Sequence, residues 1–175
     1  MGLVRWMQPR NHRVAGRTAS ILGMVAAAVT LVFAIGQLVD DEAVVIDIVV
    51  TVVAAALIVV AGLSARLLGD AHPRVWAGWP FAAISLIVAL DFLTGDATLS
   101  AQVFLIFPAL YAAAELRRPG VIVMVVAVLL AEWSVTTVML PWERAIVEAS
   151  YMSAAIIATA ALLTLAGERQ ERLVA

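Results

Sequence analysis

The chain has 175 residues, a formal charge of −2 and a composition that is 64% apolar and 14% charged, with a mean hydropathy of +1.04. A soluble domain of this size could not remove that much apolar surface from water, so composition excludes one and points to an integral membrane protein. The absence of cysteine excludes disulfides and thiol chemistry.

A membrane span needs roughly 17 to 25 mostly apolar residues, because the hydrocarbon core is about 30 Å thick and a helix rises about 1.5 Å per residue. The runs here are continuously apolar and lack a two-residue alternation, which predicts helices rather than a barrel. The expected architecture is an all-α integral membrane protein, a bundle of six transmembrane helices with both termini cytoplasmic.

Residues 1–17 form a basic cytoplasmic segment with Trp6, Arg5, Arg10, Arg13 and Arg17. The segment is expected to lie along the anionic leaflet as a topology anchor, and its long apolar continuation is unlike a cleaved signal. The membrane domain then occupies residues 18–166. Its first span is placed at residues 18–38 and its second at 43–63. The second carries Asp47 near its outer end and a close-packing face of Ala54, Ala55, Ala56 and Gly62. The third, 75–93, has Trp76 and Trp79 as interfacial anchors at its inner end and Asp91 at its outer end.

The fourth span, 99–116, is short and holds Gln102 near its start and Pro108 in its middle. Proline removes a backbone donor, so a kink is expected there, with a carbonyl freed one turn earlier. Phe104, Phe107 and Tyr111 would line the widened wall. The fifth span, 121–140, contains Glu132 beside Trp133, with Ser134, Thr136 and Thr137 following and Trp142 as an outer anchor. The sixth, 145–165, carries Tyr151 and a second small-residue face at Ala154, Ala155, Ala158 and Thr159. That face suits intramolecular packing or a dimer interface.

Arginine sets the orientation, since the chain has no lysine. With six spans, Arg144 alone falls outside, and Arg5, Arg10, Arg13, Arg17, Arg66, Arg74, Arg117, Arg118, Arg169 and Arg172 fall inside. Omitting the fourth span would move Arg117 and Arg118 outside and spoil this asymmetry. Short connections make sequential helices antiparallel neighbours in one bundle.

Glu132 is the leading functional candidate. A carboxylate at that depth costs about 2.5 to 3.5 kcal/mol on insertion scales, so it should face the interior and be either protonated or partnered. Its alternative is a purely structural acid bonded to a Ser, Thr or Tyr across the bundle. Asp47, Asp91, Gln102, Glu132 and Tyr151 could together line a cavity open to the outside, with Trp133 and Tyr111 as further ligand-binding candidates.

Catalytic signatures are absent from the sequence. His12 and His72 lie far apart without metal-ligand spacing, and there is no glycine-rich phosphate loop or nucleophile motif. No enzyme activity, cofactor, metal or nucleic-acid partner is expected. "DFLTG", residues 91–95, looks like the opening of a GGDEF cyclase domain, but it lies at an outer helix end and no such signature follows.

Residues 167–175, "GERQERLVA", leave the sixth span as a helix-prone cytoplasmic stub. Glu168 is placed to pair with Arg172, and Leu162, Ala166, Arg169 and Leu173 follow a heptad-like spacing. Gly167, Arg169 and Leu173 are therefore the candidate signal-relay positions.

The stretch "LTGDATLSAQVFLIFPALYAAAELRRPG", residues 93–120, together with this exit, resembles the six-helix membrane sensor domains called MASE-like. These precede GGDEF diguanylate cyclases or class III adenylate cyclases in bacterial receptors. The resemblance implies a homodimeric sensor in a bacterial inner membrane, in contact with the lipid bilayer. It would detect a hydrophobic or membrane-borne cue and relay it through the sixth helix to a cytoplasmic output domain or partner. The chain departs from that pattern in carrying no output domain, so it would be an isolated membrane domain or a stand-alone relative. Competing readings are a small proton-coupled transporter using Glu132, and a structural or assembly subunit.

Overall fold

The structure, a computed structural model, describes residues 6–39, 45–67, 73–95 and 97–174. Among the described residues every regular element is helical. In chain order they are α1 (His12–Val39), α2 (Val45–Leu67), α3 (Pro73–Thr94), α4 (Leu99–Gln102), a 3-10 turn (Val103–Leu105), α5 (Ile106–Glu115), α6 (Arg118–Met139) and α7 (Trp142–Val174). Helices α1, α2, α3, α6 and α7 are long and apolar enough to cross a membrane, and Val103–Glu115 is a shorter apolar helix.

Contacts divide the chain into two units, His12–Asp70 and the combination of Met1–Asn11 with Ala71–Ala175. The first unit is the α1–α2 pair. Its helices approach backbone to backbone at two glycines: a Cβ added at Gly23 would lie 3.1 Å from the Gly62 Cα. Ala54 and Ala55 are buried, so this part of the expected small-residue face does pack internally, whereas Ala56 points outward. Helix α1 starts well before residue 18, with Asn11 at the N-cap position that asparagine favours.

In the second unit α3 packs on α5 and α6, α5 packs on α6 and α7, and α6 packs on α7. Helix α3 ends at Gly95, whose φ of +67° is left-handed and suits a glycine stop. The Thr94 hydroxyl meanwhile bonds back to the Leu90 carbonyl at 2.9 Å. The fourth span is not a regular α-helix throughout. Pro108 offers no N–H to the carbonyl four residues earlier, and the chain tightens into the 3-10 turn at Val103–Leu105, within that preceding turn. Leu116 and Arg117 are extended, and Pro119 opens α6 in its first turn, where its missing N–H costs nothing.

Residues 6–10 lie against the α5–α6 corner. The Arg10 N–H donates to the Glu115 carbonyl at 2.9 Å and its Nε to the Leu116 carbonyl at 3.2 Å, which satisfies the open carbonyls at the end of α5. Met7 is fully buried, and a Cβ added at Gly120 would collide with the Trp6 carbonyl oxygen. Arg10 is thus also a cap, because a cation suits a helix C-terminus. Trp76 departs from expectation: the side chain read as an interfacial anchor is 0% exposed. Trp142 is 66% exposed, as an outward-facing ring would be, and Trp79 is half-buried.

Helix α7 runs for 33 residues without interruption, through the end of the sixth span and on to Val174. Gly167 and Arg169 lie within it, with Arg169 exposed; Leu173 is helical, but its side chain and those of Glu168 and Arg172 lie outside the described residues. Ala154, Ala155 and Ala158 are exposed, so these members of the expected small-residue face do not pack internally.

Candidate functional site

Helix α6 buries a stripe formed by Val121, Met124, Val128, Glu132 and Val135, spaced three or four residues apart. Glu132 therefore occupies a core position, with 0% of its surface exposed. Helix α7 folds back after Pro141, whose carbonyl accepts the Ala145 N–H at 2.9 Å. It presents Ala145, Ala149, Met152, Ile156 and Ala160 as its own buried stripe, and Ser153 stands at the edge of that stripe.

Three side chains meet where the two stripes face each other. The Ser153 hydroxyl donates to Glu132 Oε2 at 3.3 Å, and Trp133 Nε1 donates to Ser153 Oγ at 3.2 Å. Ser153 is thus donor to one α6 residue and acceptor from the next. Glu132 Oε1 is buried with no hydrogen-bond partner.

The neighbouring hydroxyls do not fill that gap because each is engaged by its own helix. Ser134 donates to the Leu130 carbonyl at 2.6 Å, Thr136 to the Glu132 carbonyl at 2.9 Å, and Thr137 to the Trp133 carbonyl. Such back-bonding is the usual fate of Ser and Thr inside a helix.

A second polar contact links α3 to α4. Gln102 Nε2 donates to Asp91 Oδ2 at 3.4 Å, both residues are buried, and Gln102 Oε1 has no partner. Tyr111 is also buried with its hydroxyl unpartnered. It lies about 6 Å along α5 from the α5–α6 corner, whereas Glu132 lies about 20 Å along α6 from it, so the two stand at different heights. Phe104 and Phe107 pack with ring centroids 6.1 Å apart.

The sequence-derived site residues therefore separate. Glu132 and Trp133 come together through Ser153; Asp91 and Gln102 form their own pair; Pro108 sits behind the break in the fourth span; Tyr111 stands apart. Tyr151 is 70% exposed, whereas Glu132 is fully buried. The Asp47 side chain lies outside the described residues. Ser153 was missed by sequence reasoning. Folding the chain back at Pro141 puts its stretch of α7 opposite Glu132, and a search for the nearest polar residue there would have found it.

Among the described residues no group of three or more His, Cys, Asp or Glu side chains is placed to hold a metal ion. What the cluster offers is one buried carboxyl, half engaged, tied to a hydroxyl on the neighbouring helix. Compared with known proteins, the chain matches no family model, no curated protein and no solved structure.

Proposed function

We propose that this chain is a six-span membrane sensor or regulatory module with both termini on the cytoplasmic side of a bacterial inner membrane. It detects a hydrophobic or membrane-borne cue and relays it through α7, as a MASE-like domain does, to a cytoplasmic nucleotide-cyclase-type output domain or partner. The observation that carries this reading is the place of Ser153. The partner of the buried acid sits on the helix that continues, unbroken, for about another 30 Å to Val174.

A packed helix pair tends to be bistable rather than continuously deformable, so a change at one interhelical bond can select between two arrangements. A cue that binds the two arrangements with different affinity shifts their populations, and the continuous helix carries the change to its far end. The arginine distribution supports the inward orientation of that end. The outward-facing Ala154, Ala155 and Ala158 supply a close-approach surface for a second copy.

The test uses the cysteine-free background. Single cysteines at Arg169 and Leu173 are crosslinked in native membranes, alone and combined with Glu132→Gln or Ser153→Ala. A crosslinking pattern with helical spacing that shifts in both variants supports the relay. An identical pattern in all three backgrounds sinks it.

The unpartnered Oε1 of Glu132 equally suits a proton-coupled carrier. Proton-driven solute flux in proteoliposomes, lost in Glu132→Gln, would favour that reading.

A further inference from the structure

Arg10 stands 106 positions before Leu116 in the chain, yet its Nε donates to the Leu116 carbonyl at 3.2 Å and its backbone N–H to the Glu115 carbonyl at 2.9 Å. Arg117 and Arg118 follow at once. From the Leu116 carbonyl, standard backbone dimensions place the Arg10 guanidinium within about 6 Å of the Arg117 Cα and about 10 Å of the Arg118 Cα. All three side chains are exposed. Folding has therefore gathered three arginines from two remote segments at the α5–α6 corner.

The surrounding chain does not offset their charge. Residues 1–17 and 116–131 contain no Asp or Glu, and Glu115 is only 5% exposed. The backbone that carries Arg10 is also held in place, because Met7 and Pro9 are buried and the Trp6 carbonyl lies against Gly120. Helix α6 is long and apolar enough to cross a membrane, and it begins at Arg118. The cluster thus stands at the end of a span, at the level of the lipid headgroups. The Trp6 ring, 45% exposed, suits that level as well.

We infer that the α5–α6 corner binds the phosphate of an anionic phospholipid, with Arg10, Arg117 and Arg118 as its guanidinium ligands. The planar guanidinium fork matches pairs of phosphate oxygens. A lipid already holds its phosphate at this height and needs to leave no part of the bilayer to reach the corner, which favours it over an anion arriving from water. Arg10 belongs to the docked N-terminal segment and Arg117 and Arg118 to the corner, so a phosphate shared among them clamps the one to the other. The site needs α6 to span a bilayer and is independent of any role of Glu132 or of a relay through α7.

The experiment is native mass spectrometry of the full chain released from micelles holding equal amounts of phosphatidylglycerol and phosphatidylcholine, with limited proteolysis in nanodiscs of either lipid beside it. The expected result is one phosphatidylglycerol retained in preference to phosphatidylcholine, and slower cleavage around Met7 in phosphatidylglycerol discs. Retention should fall about fivefold in Arg117→Gln and again in Arg118→Gln. Neither substitution removes the Glu115 and Leu116 carbonyls that hold Arg10. Arg144→Gln, about 30 Å away along the α6 axis, should retain lipid as the parent does.

Equal retention of the two lipids overturns the proposal. So does retention unchanged in the Arg117→Gln, Arg118→Gln double variant, or an equal loss in Arg144→Gln, which would mean diffuse attraction to charge. Excess inorganic phosphate separates the two sources of the anion: lipid that stays bound supports a headgroup site, whereas lipid displaced by phosphate would make the corner a free-anion site and overturn the lipid assignment.

Discussion

Ser153 on α7 gives its hydroxyl proton to Glu132 on α6 across 3.3 Å while accepting the Trp133 indole N–H at 3.2 Å. One small side chain therefore satisfies two groups on the neighbouring helix, and Ser153→Ala strands both at once. Interhelical hydrogen bonds in membranes average about 0.6 kcal/mol and reach about 1.7. The alanine variant is expected to lose about 1 to 2 kcal/mol in equilibrium unfolding in bicelles. Glu132→Gln should lose less, because glutamine keeps an acceptor for the hydroxyl. A Ser153→Ala protein as stable as the parent would mean that the bond contributes nothing.

Gly120 should tolerate no side chain while residues 6–10 are in place. An added Cβ meets the Trp6 carbonyl oxygen, which is backbone and cannot rotate away. Overpacking of this kind costs about 1 to 3 kcal/mol, so Gly120→Ala is expected to destabilise the chain and expose the Met7 region to protease. In a chain shortened by residues 1–10 the penalty should shrink, since only the 3.2 Å approach to the Leu116 Cβ remains and alanine is favoured over glycine in a helix by about 1 kcal/mol. Destabilisation of equal size in both chains would show that the collision is not with the N-terminal segment.

Trp76 and Trp142 make opposite predictions from the same residue type. Trp76 is fully buried in α3, and its replacement by alanine should cost about 3 to 5 kcal/mol. Trp142 begins α7 with most of its ring exposed, and Trp142→Ala should change stability in detergent by no more than about 0.5 kcal/mol. Thermal unfolding of the two variants separates them; similar losses would contradict the burial of Trp76.

That contrast marks what could be read in advance. Continuous apolar runs gave the long helices because length and hydropathy are one-dimensional properties, and a helix satisfies its own backbone. The break near Pro108 was legible for the same reason: proline acts through its own ring on the preceding turn. The fate of Trp76 was not, because a tryptophan near a helix end reads identically whether it meets lipid or a neighbouring helix. Burial of Glu132 followed from the cost of exposing it, whereas its partner depended on where α7 returns. Tyr151 is exposed while Glu132 is buried, and proximity among polar groups in sequence says nothing about which face of the helix each one takes. Arg10 likewise was legible as a charge and not as a cap, since the carbonyls it covers belong to Glu115 and Leu116, far away in sequence.

The glycine pair in the α1–α2 unit permits a ranking finer than the presence or absence of contact. A Cβ at Gly23 would stand 3.1 Å from the Gly62 Cα and 3.5 Å from the Ile58 carbonyl oxygen; a Cβ at Gly62 would stand 3.4 Å from the Gly23 Cα and 3.5 Å from the Ser20 carbonyl oxygen. The first is tighter than ordinary van der Waals contact and presses on backbone, so the helices must separate by a few tenths of an ångström to admit it. The second is ordinary contact, and there the roughly 1 kcal/mol gained by placing alanine instead of glycine in a helix is not spent on separation. Gly62→Ala is therefore expected to equal or exceed the parent in stability, with Gly23→Ala below it by about 1 kcal/mol. The double variant should be worse than the sum of the two, because each new methyl occupies the space into which the other helix would have to move. Equilibrium unfolding of the three proteins in one detergent decides this, and a reversed order of the single variants would mean that α1 and α2 cross elsewhere.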